Sequence, residues 1–435
     1  MTVCVTGLGA ATCLGLSYKD LWAGLCSGKS GISRITAFDP SSFKCQIAGQ
    51  LPEFSIRDYV PKAIRKTTKL MSRDIEIAII AANEAFKDAG LKTKAFDDEQ
   101  SITINPKRSA IILGANSISC DLLEIAPSIA KGVVDGKFNI QKWGTDSIET
   151  VTPLWLLKYL PNMLACHIGI IHDLQGPSNT ITCAESAGLL AIGEAAQIIA
   201  RGDAELALAG GGESKVNPIV HMRQSLLKRA NDDSNDNPTE ACRPFDQNAH
   251  GCIFGEAAGC VVLEDSDRAK NRSAKIYAQI AGIGQSCSLS TKYEALESDG
   301  KGVQYAIEAA LAEAKVKPEQ IDLIIPHGTG VIADDIAEAT GIRNALGTAG
   351  EKIPVFPTKS MVSNTGSGAG AVDFVAACCA INDGVIPAAK NCTSVHKECK
   401  LNIVKEQIKK KINYVLCTAY TYGGQTAAVI LKNNE

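Results

Sequence analysis

The sequence contains no run approaching the ~20 consecutive apolar residues that a membrane-spanning helix requires, which excludes a helical membrane protein. It also lacks an excess of either charge. Its 44 Lys and Arg stand against 47 Asp and Glu, a formal charge of -3, so no bulk positive field draws nucleic acid or anionic lipid, and an anionic partner must use a local patch. No CxxC occurs among the 16 cysteines, which are scattered and include the adjacent Cys378 and Cys379. They read as reduced, mostly buried thiols rather than a disulfide framework, and no metal site is implied. The opening segment Met1-Thr-Val-Cys-Val-Thr-Gly7 has no basic stretch followed by an apolar one, so a first β-strand and a cytoplasmic location are expected instead of a secretory signal. Gly7-Leu-Gly-Ala-Ala-Thr12 lacks the third glycine of a dinucleotide loop and has no ribose-binding acid at the ~20-residue offset.

What is present is a chain of 435 residues, 45% apolar and 21% charged, a composition of soluble globular proteins with ample material for a large core. Strand-like runs at 3–6, 109–113, 180–182, 206–209, 260–263, 276–283, 323–326, 414–417 and 427–431 alternate with helix-like stretches. That alternation predicts α/β layering. The stretches 72–89, 187–200, 302–314, 333–345 and 370–381 carry small and aliphatic residues all round, as helices sandwiched between sheets do. A strand, a tight turn and a small-residue helix recur near residues 183, 327 and 364, which predicts two similar α/β halves, 1–264 and 265–435. Polar stretches near 131–149 and 230–240 read as surface insertions.

Three segments have the character of chemistry. In Gly176-Pro-Ser-Asn-Thr-Ile-Thr-Cys-Ala-Glu-Ser-Ala-Gly188 a short β run turns into a helix, the way enzymes present a nucleophile at a helix N-terminus. Pro326-His327-Gly-Thr-Gly330 follows an apolar strand, and Thr358-Lys-Ser-Met-Val-Ser-Asn364 precedes the glycine-rich Gly366-Ser-Gly-Ala-Gly370. Taken singly, a structural histidine and a solvated lysine are the simpler readings.

Together these segments resemble the β-ketoacyl-acyl-carrier-protein synthases, condensing enzymes of the thiolase fold. The resemblance extends through Pro161-Asn-Met-Leu-Ala165, the strand ending Gly210-Gly-Gly-Glu213, Arg243-Pro-Phe-Asp246, Gly255-Glu-Ala-Ala-Gly259 and Tyr422-Gly-Gly424, nearly the whole chain. It implies two fused α/β halves in five αβαβα layers, no cofactor, and a thiolate that accepts an acyl chain while polar donors hold the thioester oxygen. The nucleophile lies ten residues into the Gly-Pro-Ser segment, and that position is Glu185. The first catalytic histidine matches His327 and the lysine Lys359; the second histidine is replaced by Asn364. Cys183 lies two residues before Glu185, in the expected strand, without the helix dipole that lowers a thiol pKa.

The altered site is closest to the chain-length-factor subunits that pair with an active ketosynthase and act on an acyl carrier protein in fatty acid or polyketide elongation. A malonyl-carrier-protein decarboxylase and a non-catalytic acyl-binding homodimer are the alternatives. A Glu185 carboxylate is expected to be held by the helix N-terminus, His327 and Lys359. The resemblance places Ile118, Leu122, Leu123, Leu160, Met163 and Tyr422 at the acyl tunnel or subunit interface. Lys62, Arg65, Lys66, Lys69 and Arg73 fall on one face of an expected helix and would dock the acidic carrier protein.

Overall fold

The computed structural model describes residues 2–96, 101–117, 120–288 and 295–434. Eleven strands form one hydrogen-bonded sheet system. In the first half, β1 (Val3–Ala11), β2 (Ser109–Gly114), β3 (Ser178–Ile181), β4 (Leu206–Ser214) and β5 (Glu256–Asp265) lie in the order β1-β5-β4-β2-β3. In the second half, β6 (Ala278–Cys287), β7 (Leu323–Ile325), β8 (Pro354–Val355), β9 (Asn402–Ile403), β10 (Tyr414–Tyr420) and β11 (Gln425–Lys432) lie in the order β6-β11-β10-β7-β8-β9.

The first five strands of each half repeat one pattern: two antiparallel pairings followed by two parallel ones. Within the sheet, β1 of the first half pairs with β6 of the second, where Cys4 and Val5 meet Gln279 and Ala278. The recurrence of strand-turn-helix in the sequence is this duplication.

The helices that position the site are α1 (Arg73–Asp88), α2 (Leu122–Lys131), α3 (Met163–His172), α4 (Ala187–Ala200), α5 (Lys301–Ala314), α6 (Ile332–Leu346) and α7 (Ala369–Asp383). α4 and α7 form the middle layer. Their small residues are buried almost all round, and their core is continuous with strands of both halves. α1 and α3 cover the outer face of the first half, and α5 and α6 that of the second. This is the expected five-layer thiolase-like arrangement. The Gly-Leu-Gly segment serves packing: a Cβ on Gly9 would lie 2.0 Å from the carbonyl oxygen of Ala81 in α1. No described helix is long and apolar enough to cross a membrane.

One local expectation fails. Residues 62–73 are not one helix: a 3-10 helix spans Lys62–Leu70, Met71 is extended (φ -101°, ψ 134°), and α1 begins afresh at Arg73. The 131–149 insertion carries a small exposed hairpin, Val133–Val134 against Lys137–Phe138.

Candidate active site

β3 ends at Ile181, so Cys183 stands in the turn and not in the strand as expected. Ala184 then takes φ +44°, a left-handed value uncommon outside glycine. A single 3-10 turn, Ala184–Ser186, feeds into α4. This sharp reversal aims Glu185 into the interior, where the residue is 3% exposed.

Its partner is Lys215, the residue that follows β4 and is itself 1% exposed. Lys215 Nζ donates to Glu185 Oε1 at 3.0 Å and lies 3.8 Å from Glu213 Oε1. Burial pushes the Glu185 carboxyl upward, but the charge and hydrogen bond of Lys215, with Arg229 adding to them, hold it below the ordinary carboxylate range. Burial opposes the Lys215 ammonium too, and Glu185 and Glu213 overcome it and raise its pKa. The pair is therefore ionised at neutral pH. Glu185 Oε2 is buried and has no hydrogen-bond partner among the described residues.

Sequence reasoning missed Lys215. The signal was available: Glu213 and Lys215 are two apart on extended chain and so share a face, and Lys215 directly follows a strand that is buried almost throughout. The expected grip of His327 and Lys359 on Glu185 does not form. Lys359 Nζ donates instead to Asp373 Oδ2 on α7 at 2.6 Å, both side chains 1% exposed.

His327 lies at the end of β7. Two acids one turn apart on α6 hold its loop: Glu338 accepts the backbone N–H groups of His327 (2.7 Å) and Gly328 (2.8 Å), and Asp335 accepts those of Thr329 (2.8 Å) and Phe245 (2.7 Å). The imidazole packs edge-on against Tyr420, with ring centroids 4.7 Å apart. Burial, then the charges of Lys359, Lys215 and Arg229, drive its pKa well below the usual histidine value, so the ring is neutral. Its Nδ1 has no partner among the described residues.

The Asn364 side chain is held by its own loop, its Oδ1 accepting the Gly366 N–H at 3.0 Å. Gly366 sits at φ +58°, and a Cβ there would meet Glu213 Oε2 at 1.9 Å. Glycine at this position is what allows the acid to reach the Ser367 N–H at 2.7 Å. Cys183 is half-buried, and burial raises its thiol pKa, the opposite of what an activated nucleophile needs.

Of the tunnel candidates, Leu122 and Leu123 line a cavity of about 730 Å³ together with Phe38, Phe43, Met71 and Val216. Neither Glu185 nor His327 is among its lining residues. Ile118 lies outside the described residues. Leu160 is half-buried. Met163 packs against the core beneath α1, and Tyr422 carries the Arg229 guanidinium 4.5 Å from its ring centroid. Lys62, Lys66 and Lys69 are exposed and Arg65 is half-buried. Arg73, its side chain 37% exposed, is engaged differently from these four. It is turned inward onto Glu256 in a bidentate pair (2.8 and 3.0 Å) and lies 4.3 Å from the Phe54 ring centroid.

The sequence and the fold have known counterparts. The model of the β-ketoacyl synthase N-terminal domain matches residues 1–269, and that of the C-terminal domain residues 277–393. The chain belongs to the β-ketoacyl synthase family. The 3-oxoacyl-[acyl-carrier-protein] synthase 2 of Vibrio cholerae is 32% identical over 435 residues, covering 99% of this chain and 98% of that protein. The protein of the same name from Coxiella burnetii is 32% identical over 439 residues, with 99% and 98% covered. Among solved structures, the ishigamide ketosynthase/chain length factor superposes with a TM-score of 0.84 at 26% identity, covering 100% of this chain and 99% of that one. A β-ketoacyl synthase from Burkholderia phymatum gives 0.86 at 26% identity, with both chains fully covered. Fatty acid and polyketide chain elongation is the setting in which β-ketoacyl synthases work.

Proposed function

We propose that this chain is a non-elongating β-ketoacyl synthase subunit, chain-length-factor-like, that pairs with an active ketosynthase on carrier-bound substrates. The observation that carries the reading is the buried ion pair of Glu185 and Lys215 at the apex of the elbow. Acyl transfer to a synthase requires a thiolate there. A carboxylate committed to an ammonium in the interior neither forms a stable thioester nor leaves room for one.

The rest of the site agrees. His327 and the Lys359–Asp373 pair keep the scaffold of a condensing site, while Asn364 holds its own loop through its carbonyl oxygen and carries no imidazole. An ionised Glu185 is also acceptor-only and offers a malonyl thioester oxygen no hydrogen-bond donor, unlike an amide at that position, which disfavours the decarboxylase alternative.

Pairing is supported by β3, an edge strand of the sheet whose Ser178 and Asn179 are exposed, a row of backbone groups open to another strand. A division of the chain at 264/265 falls at the end of β5, before the chain reaches β6. The solved ketosynthase/chain length factor is a precedent for such a pairing, and the exposed Lys66 and Lys69 are suited to an acidic carrier protein.

The test is coexpression with a candidate ketosynthase that retains its cysteine and both histidines, followed by mass spectrometry of carrier-bound products. Copurification of the two chains and products of defined length are expected only when both are present. Elongation by this chain alone would overturn the reading.

A further inference from the structure

The 3-10 geometry of Lys62–Leu70 divides the basic segment in a way no α-helical reading would. With three residues per turn, positions i and i+3 stack directly: Lys62 and Arg65 form one row, Lys66 and Lys69 the next. The first row borders a cavity of about 340 Å³ whose wall is completed by Tyr59, Asn83, Lys87 and Phe96. Asn83 and Lys87 are four apart on α1 and so lie on one face of it. Three cations thus converge on one cavity, against the single lining carboxylate of Asp58. None of Lys62, Arg65 and Lys87 is in an ion pair among the described residues.

Asn83 is 5% exposed, and its Nδ2 donates to the Tyr59 carbonyl at 2.6 Å, which ties α1 to the loop before the 3-10 helix. Arg65 Nε is enclosed and has no partner among the described residues. Lys87 Nζ lies 5.5 Å from the Phe96 ring centroid, and Tyr59 offers a second ring.

We propose that this cavity binds a small phosphorylated molecule, with the phosphate between Arg65, Lys62 and Lys87 and a planar remainder against Tyr59 and Phe96. A guanidinium fork with two ammonium groups matches a phosphate's oxygens. The cavity exceeds the volume of a bare phosphate, hence the planar group. This assignment is independent of the fate of Glu185.

Inorganic phosphate and phenyl phosphate are the probes, titrated at low ionic strength into the full chain by calorimetry. Saturable one-to-one binding is expected, tighter for phenyl phosphate. Arg65→Met and Lys87→Met should each weaken it at least about tenfold, while Lys66→Met with Lys69→Met changes it less than about twofold. Thermal unfolding of each variant checks that the fold is kept. Absence of saturable binding, or equal weakening by all the variants, would reduce the site to a diffuse basic surface and overturn the proposal. Failure of both probes combined with Arg65-dependent binding of a carrier protein only in its phosphopantetheinylated form would place the phosphate on the carrier and overturn the free-ligand assignment.

Discussion

Removing one member of the Glu185–Lys215 pair leaves the other as an uncompensated ion in the interior. Glu185→Gln and Lys215→Met should each destabilise the fold by about 3 to 5 kcal/mol, and the double variant should recover most of that loss. A double-mutant cycle from urea unfolding measures it. The pH dependence has a fixed sign. Glu185 is held below the ordinary carboxylate range in the folded state, so the stability it contributes is present above the unfolded pKa and is lost as pH falls through the folded one. The gap between wild type and double variant should therefore narrow only below about pH 4. Ser363 carries strain of another kind: it is fully buried, with φ +68° and ψ 179°, a region that is essentially glycine's. Ser363→Gly should stabilise the chain by about 1 kcal/mol, the relief of strain exceeding the entropy that glycine adds to the unfolded state, as a rise in the urea midpoint.

At the scale of elements, β1, α4 and α7 were legible because buried strands and sandwiched helices write uniform apolar runs into the sequence. The position of Glu185 on a tight turn was legible from the strand-to-helix change of period. Its partner was only half legible: the spacing of Glu213 and Lys215 after a buried strand marks a charged pair on one face, but Lys215 follows another strand thirty residues on, and only the sheet order brings it to Glu185. The break at Met71 was missed for a similar reason: Arg73 is drawn inward by Glu256, a long-range pairing that overrides the helical spacing of the charges. The loop of His327 gives a prediction of its own. Burial raises Glu338 to about 7, against the hydrogen bonds it accepts. The folded chain thus keeps a proton that the unfolded chain loses near 4.5, and this group's contribution to stability falls as pH rises between those values, by up to about 1.4 kcal/mol per unit. Glu338→Gln should lose that slope, so the variant should gain on wild type between about pH 5 and 7, read from thermal unfolding across the range.

For the molecule as a whole, the repeated strand order makes each half a scaffold for the other, with α4 and α7 packed between them. The elbow's helix belongs to the first half and the His327 and Lys359 segments to the second, so the site exists only in the fused body. If the edge strand β3 extends its sheet into a second subunit, Ser178→Pro should weaken that pairing, because the Ser178 N–H faces the open edge while the carbonyls of Pro177 and Ile181 face β2 and proline cannot donate to a ladder; size-exclusion chromatography with the ketosynthase would then show separate species while circular dichroism stays unchanged. The most direct measurement is intact-mass analysis of both subunits after the copurified pair is incubated with acyl-carrier protein. An acyl adduct is expected on the cysteine-bearing ketosynthase and none on this chain. A stable adduct on this chain, at Cys183 or any other residue, would contradict it.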